Sequence, residues 1–304
     1  MFTPEYVRWR TNLVSWIEPK PETGKVSCFL RAWAIVFLFS LTACSGKSVH
    51  QASTLPVTAS ATARPSVEGL INQLPLESRV EEISFQSRDG TRLAGQFDWP
   101  VKGEKFSLVF IIHHADPIGR ENYQFLAAKL VPAGYAVFRF DKRGVGESEG
   151  DYGCCEADDA FAAYEAAIRH RPEAIINVFI LAQSIGTKNL YNRYVEYERI
   201  FHPSGVLLLS NLLNIEEVLN IDSPVQIIVS DSEPDLVKAG QEAVQAHTLK
   251  YGFNSDFYEA LQTEHTLFDV SQGPIDWSDP AWPERFDEDT WIEIQSWLDL
   301  NNQS

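Results

Sequence analysis

From residue 80 onward, short apolar runs alternate with stretches in which apolar residues recur every three or four positions. The runs at 107–113, 135–141, 177–183, 205–210 and 225–230 show little polar alternation, as expected of central strands buried on both faces. Two earlier runs, 80–86 and 92–98, flank Asp89-Gly90, a turn dipeptide that predicts an antiparallel hairpin. A last strand is expected at 256–261. Helical spacing marks 121–132, 156–170, 185–199, 234–251 and a final segment near 289–300. In 156–170 the residues Ala160, Phe161, Tyr164, Ala167 and Ile168 form one apolar stripe. Strands and helices alternating in this way predict an α/β fold, a doubly wound, mostly parallel eight-stranded sheet with helices on both faces. No internal repeat is visible, and the spans between 199 and 225 are too short for a large lid domain.

The front of the chain obeys different rules. Residues 32–43, AWAIVFLFSLTA, are apolar and follow Lys25 and Arg31. A helix of that length is about 18 Å long, short of the ~30 Å hydrocarbon core, so a spanning helix is not expected. Basic residues, a short apolar stretch and small residues before a cut site are the features of a signal peptide. The site reads Leu41-Thr42-Ala43-Cys44 and resembles the lipobox of bacterial lipoproteins. That resemblance implies cleavage before Cys44, lipidation of its thiol and acylation of the new amino terminus. Two or more acyl chains anchor stably where one does not. Ser45, rather than an aspartate, then implies sorting to the outer membrane, facing the periplasm of a bacterial cell envelope. Residues 1–25 carry Glu5, Glu18 and Glu22 and make a long lead-in, so a start at Val26 is expected. Residues 44–78 are rich in Ala, Ser, Thr and Pro, without periodicity, and read as a flexible tether. The folded body is therefore expected at 79–304.

Composition narrows the classes. The net charge is −17, with 42 acidic against 25 basic residues, and removal of residues 1–43 leaves the body more acidic still. An acidic surface argues against nucleic acid and against electrostatic adhesion to anionic lipid. Four cysteines are too few for a disulfide scaffold, and their spacing matches no zinc site. The adjacent pair Cys154-Cys155 is expected as free or separately buried thiols. The aromatic segment 276–291, with Trp277, Trp282 and Trp291, is expected to pack against the core.

Ligands of open α/β sheets bind beyond the carboxyl ends of the strands, and chemistry is sought there. The run 177–183 ends in Leu181-Ala182-Gln183-Ser184-Ile185-Gly186, a strand-to-helix turn close to the G-x-S-x-G nucleophile elbow, with Ala182 in place of the first glycine. A serine between strand and helix also reads as an ordinary N-cap. One strand earlier stands Phe140-Asp141-Lys142-Arg143-Gly144-Val145-Gly146-Glu147-Ser148-Glu149-Gly150. This resembles the F-D-x-R-G-x-G-x-S-x-G loop of the α/β-hydrolase family, and the likeness covers roughly residues 80–300. A dinucleotide fingerprint would instead follow the first strand of its unit and open a helix. His113-His114-Ala115-Asp116-Pro117-Ile118-Gly119-Arg120 resembles the H-G-S-G-P-x-D-R loop of some esterases of that family.

What the resemblance implies is a serine esterase with little or no cap and a Ser-acid-His order. Ser184 would attack an acyl carbonyl, and the backbone N–H groups of Ile185 and Ala115 would form the oxyanion hole. His265, beyond the last strand, would be the base. The orienting acid falls by family position on Glu233, with Asp235 and Asp231 close enough to compete. His170, His202 and His247 are expected at the surface. A metal site at His113, His114 and Asp116 is disfavoured, since adjacent strand residues point to opposite faces. No cofactor and no metal is called for. The partner is a small acyl-containing substrate, an ester, thioester or amide, with the membrane as a second partner through Cys44. Two other readings remain. One is an acyltransferase on the same triad. The other is a non-catalytic accessory lipoprotein that keeps the fold, to which Ala182, His114 and Thr187 point as departures from the family's tight positions.

Overall fold

In a computed structural model the protein is described over residues 78–302. The expected signal segment 1–43, the tether 44–78 save its last residue, and Cys44 lie outside the described residues. Eight strands form one sheet, β1 (Ser78–Gln86), β2 (Arg92–Pro100), β3 (Phe106–Ile112), β4 (Ala136–Phe140), β5 (Ile175–Gln183), β6 (Gly205–Leu209), β7 (Val225–Ser230) and β8 (Asp256–Ala260). Their order across the sheet is β1-β2-β4-β3-β5-β6-β7-β8. β1 and β2 form the expected hairpin, and β2 pairs antiparallel with β4. All later pairings are parallel.

Seven α-helices are described: α1 (Gln124–Leu130), α2 (Glu156–His170), α3 (Ile185–Tyr191), α4 (Tyr194–Ile200), α5 (Ile215–Val218), α6 (Pro234–Tyr251) and α7 (Glu288–Asn301). Period-two alternation divides the apolar strand residues between two core layers. Leu108, Phe110, Ile112, Ile180 and Leu208 meet Phe161 and Tyr164 of α2, Tyr197 of α4 and Ala243 of α6. Val109, Ile111, Leu181, Leu207 and Ile228 meet Leu126 of α1 and Trp291, Ile294 and Leu298 of α7. Both faces of the central strands are covered, so they are apolar without alternation.

Three elements differ from the sequence expectation. The helix expected over 185–199 is two helices. At the break, Arg193 takes φ −132° and ψ 9°, and its guanidinium pairs with Asp158 of α2 and with Glu196. A tertiary ion pair of this kind leaves no trace in local periodicity. The helix expected from 121 begins as a 3₁₀ turn, Arg120–Tyr123, before α1. The short α5 was not expected, although Asn214 and Glu217 form a reciprocal capping box that its spacing signals.

His247, expected at the surface, is fully buried. It shares the inner face of α6 with Gly240, Ala243 and Val244, spaced three and four residues apart. Its Nε2 lies 2.8 Å from the Ile221 carbonyl and its Nδ1 2.8 Å from Ser255 Oγ. Burial lowers its pKa, which fits a neutral structural imidazole. Cys154 and Cys155 are exposed free thiols whose sulfurs lie 2.6 Å apart. Trp291 is buried, whereas Trp277 is half exposed and packs T-shaped with Phe268 and tilted against Trp282.

Candidate active site

Ser184 sits where β5 turns sharply into α3, with φ 54° and ψ −120°. That conformation is costly for a residue with a Cβ and persists only where the surroundings impose it. The imposition is visible on the far side of the turn. A Cβ on Gly186 would lie 2.7 Å from the carbonyl oxygens of both Ile112 and His113, so only glycine lets α3 pass β3 this closely. Ala182, where a glycine was expected, is fully buried in the core layer beside Ile112 and Leu208, and its methyl fits. Thr187 is accommodated too. Its hydroxyl donates to the Ser184 carbonyl and accepts from the Leu212 N–H.

Although Ser184 occupies the N-cap position of α3, its side chain caps nothing. Its Oγ lies 2.8 Å from His265 Nε2, and His265 Nδ1 lies 2.8 Å from Glu233 Oε2. Of the three competing acids, the structure brings Glu233 to the imidazole. Asp231 instead accepts the Gln262 N–H at 2.9 Å, and Asp235 lies in the exposed first turn of α6. Burial works against a charged imidazolium at His265. The hydrogen bond and charge of Glu233, with Glu264 behind it, outweigh that effect and raise the pKa above the ordinary histidine value.

The loop carrying His265 is fixed by the carboxyl ends of three neighbouring strands. Ser230, closing β7, donates to the Thr263 carbonyl at 2.8 Å. Ser210, just past β6, donates to the carbonyl of His265 itself. Gln183, closing β5, donates its Nε2 to the Thr266 carbonyl at 3.1 Å. Among the described residues, every non-glycine with positive φ lies in a loop beyond a strand's carboxyl end, namely Asp116, Cys155, Ser184, Ser210, Gln262 and Leu267. Strain is thus concentrated at one edge of the sheet.

Two N–H groups face no protein acceptor there. Ile185 opens α3, and the first turn of a helix leaves its N–H groups without intrahelical partners. Ala115, in the loop after β3, finds no acceptor for its N–H among the described residues. The preceding N–H, of His114, donates to Tyr123 Oη at 2.9 Å, and that hydroxyl donates to Gln183 Oε1 at 2.7 Å. Tyr123 and Gln183 therefore link the His114 loop, the serine turn and the His265 loop. Sequence reasoning missed both roles, since neither tyrosine nor glutamine at these positions carries a local signal.

The two histidines after β3 both lie near the Tyr123 ring. His113 is buried between the rings of Tyr123 and Phe140, with centroids 4.8 and 4.7 Å away. Burial drives its pKa well down, so it stays neutral. His114 is half-buried, and burial together with nearby Lys142 lowers its pKa to about 4. The Gly-rich loop after β4 is engaged in structure rather than in cradling an anion. Asp141 accepts the N–H groups of Arg120 and Glu147 at 2.8 and 3.0 Å. A Cβ on Gly146 would strike that carboxylate. Arg143 grips Asp159 with two nitrogens, at 2.9 and 2.7 Å, and also reaches Asp89 in the hairpin turn.

Comparison with known proteins agrees with this architecture. Residues 105–241 match the profile of the serine aminopeptidase family S33. No curated protein matches the chain in sequence. Solved structures of similar fold include an esterase of Pyrococcus furiosus, 14% identical over 74% of this chain and 91% of that one, with a TM-score of 0.56. A dienelactone hydrolase from Anabaena variabilis is 14% identical over 73% and 97% of the two chains, at a TM-score of 0.53. A bacterial heroin esterase is 14% identical over 78% and 89%, at 0.56.

Proposed function

We propose that the protein is a serine hydrolase of the α/β-hydrolase family that cleaves acyl esters, thioesters or amides through an acyl-enzyme, a reading supported by the family profile over residues 105–241 and by the fold. The observation that carries the reading is the pair of 2.8 Å hydrogen bonds joining Ser184, His265 and Glu233, with the serine in a strained turn and its hydroxyl spent on the imidazole rather than on capping. Ser184 Oγ adds to the acyl carbonyl while His265 Nε2 takes the hydroxyl proton. Glu233 holds Nδ1–H and stabilises the imidazolium. The oxygen of the tetrahedral intermediate, now negative, rests on the N–H groups of Ile185 and Ala115. Collapse expels the alcohol, thiol or amine, which receives the proton from His265. Water then adds to the acyl-serine by the same route, releasing the acid and restoring the hydroxyl.

Esterase-like specificity is the form we favour, from the esterases among proteins of similar fold. The family profile is that of serine aminopeptidases, and peptide amides therefore belong in the first screen. Two of the three departures that favoured an inert scaffold have a place at the site, Ala182 fitting its layer and Thr187 bonding the turn, while the third, His114, still gives its backbone N–H to Tyr123. We also propose that the body is carried on a lipid anchor at Cys44, from the Leu41-Thr42-Ala43-Cys44 sequence.

The test is intact-mass labelling of the full-length protein with a fluorophosphonate. One adduct on the wild type, absent from Ser184→Ala and strongly slowed in His265→Ala, is the expected result. A folded wild type that takes up no adduct would sink the reading.

A further inference from the structure

We propose that Lys142 is a positioning residue that sets the peptide plane of one oxyanion donor: its ammonium grips the His114 carbonyl and thereby turns the Ala115 N–H toward the reacting centre. The inference rests on the serine hydrolase reading above and adds a residue to it that the motif alone leaves unassigned.

Lys142 follows β4 and is only 5% exposed. A lysine is rarely buried to this degree unless its charge is fully engaged. Its Nζ lies 2.5 Å from the His114 carbonyl oxygen, 3.2 Å from that of Asp116 and 3.4 Å from Glu156 Oε2. An ammonium has three donors and no acceptor, so these three oxygens use its capacity. A bland alternative is that Lys142 simply neutralises Glu156 at the start of α2. The distances argue against it, because the carboxylate is the most remote of the three partners.

The consequence follows from the chemistry of the peptide bond. Every described peptide is trans, and in a planar trans peptide the C=O and the next residue's N–H point in opposite directions. The group opposite the His114 carbonyl is the Ala115 N–H, which has no protein acceptor among the described residues. The peptide on the other side of His114 is fixed independently by its N–H bond to Tyr123. Asp116, at φ 79°, turns the chain so that a second carbonyl meets the same ammonium. A charged donor on the carbonyl also polarises the amide and makes its N–H the stronger donor. The gain is largest when the acceptor is the anionic oxygen of the intermediate, so the effect belongs in kcat rather than KM.

The experiment compares full-length wild type with Lys142→Met, which keeps the side-chain stem and removes the charge. The amide resonance of Ala115 is followed in ¹⁵N-labelled protein, and kcat and KM are measured with p-nitrophenyl acetate. The expected result is a displaced Ala115 resonance and a kcat lower by on the order of 10²-fold, with KM within about twofold. An unmoved Ala115 resonance, an unchanged kcat, or a loss confined to KM would overturn the proposal. If wild type neither hydrolyses esters nor labels at Ser184, the hydrolase reading fails and the oxyanion role falls with it. The Ala115 resonance still decides whether the lysine sets the peptide. Should Lys142→Met not fold, Lys142→Gln keeps two neutral N–H donors for the carbonyls but loses the charge; its kcat is expected below that of wild type, and a wild-type kcat in the folded variant would overturn the proposal.

Discussion

The acid at position 233 decides the protonation behaviour of the site. On the proposed mechanism His265 acts as base only when neutral, and Glu233 raises its pKa against the opposing effect of burial. Activity should therefore fall on the acid side along a limb displaced upward from the ordinary histidine value, and hold on the alkaline side of that limb. Glu233→Gln removes the Glu233 charge and leaves burial opposed only by Glu264, so the acid limb of kcat/KM should move to lower pH. The rate at the plateau should drop by on the order of 10²–10⁴-fold, because the imidazolium loses its partner and the ring its tautomer. A pH–rate profile of the variant checks both, and an unmoved limb would assign the acid elsewhere. The sequence alone left Asp231, Glu233 and Asp235 in competition for a physical reason. Which carboxylate reaches Nδ1 depends on the turn after β7, where Ser230 and Ser232 bond each other and Asp231 is taken by the Gln262 N–H. Those are contacts between residues about 30 apart in the chain for Gln262 and two apart for the serines, and a spacing rule counts neither.

At the scale of elements, the strands and most helices were legible because burial on two faces writes itself into composition. The windows 156–170 and 234–251 coincide with α2 and α6. What was not legible is how loops are held. The His265 loop takes its shape from Ser230, Ser210 and Gln183, each a side chain at a strand end bonded to a successive stretch of backbone in the loop. Any of these three could have been an ordinary terminal residue of its strand, as far as local pattern goes. Ser210→Ala is therefore an informative change far from any motif. It frees the carbonyl of His265 and should cost about 1–3 kcal/mol if that carbonyl stays dry. For a body of this size that is a fall of about 2–4 °C in Tm per kcal/mol. Activity should fall by about tenfold through kcat, since a loosened imidazole is no longer held at attack distance from Ser184. Calorimetry with steady-state kinetics checks the pair of effects. A lower Tm at unchanged kcat would mean that the loop is stiff without the bond.

On the scale of the whole molecule, one edge of the sheet carries the candidate site while the opposite end and both faces carry the packing. Among the described residues, all the non-glycine backbone at positive φ, the three-residue hydrogen-bond chain and the two free N–H groups lie beyond the carboxyl ends of β3, β4, β5, β6, β7 and β8. The hairpin β1–β2 is tied to this arrangement directly, since β2 pairs with β4, the Ala94 N–H donates to Ser148 Oγ and the Ala94 carbonyl accepts the Asp141 N–H, and again through Arg143, which joins Asp89 to Asp159 of α2. No helix of the described residues is long and apolar enough to cross a membrane. On the reading proposed here, attachment rests on Cys44, which lies outside the described residues, and catalysis on Ser184, His265 and Glu233 within them. The two should separate cleanly. In cells, Cys44→Ser should abolish incorporation of an alkyne-tagged palmitate and shift the protein from the membrane fraction to the soluble fraction. Ser184 in that variant should label with fluorophosphonate at the wild-type rate. Retention of the lipid tag would sink the anchor proposal. Loss of labelling in a soluble, folded variant would mean instead that the membrane itself completes the site.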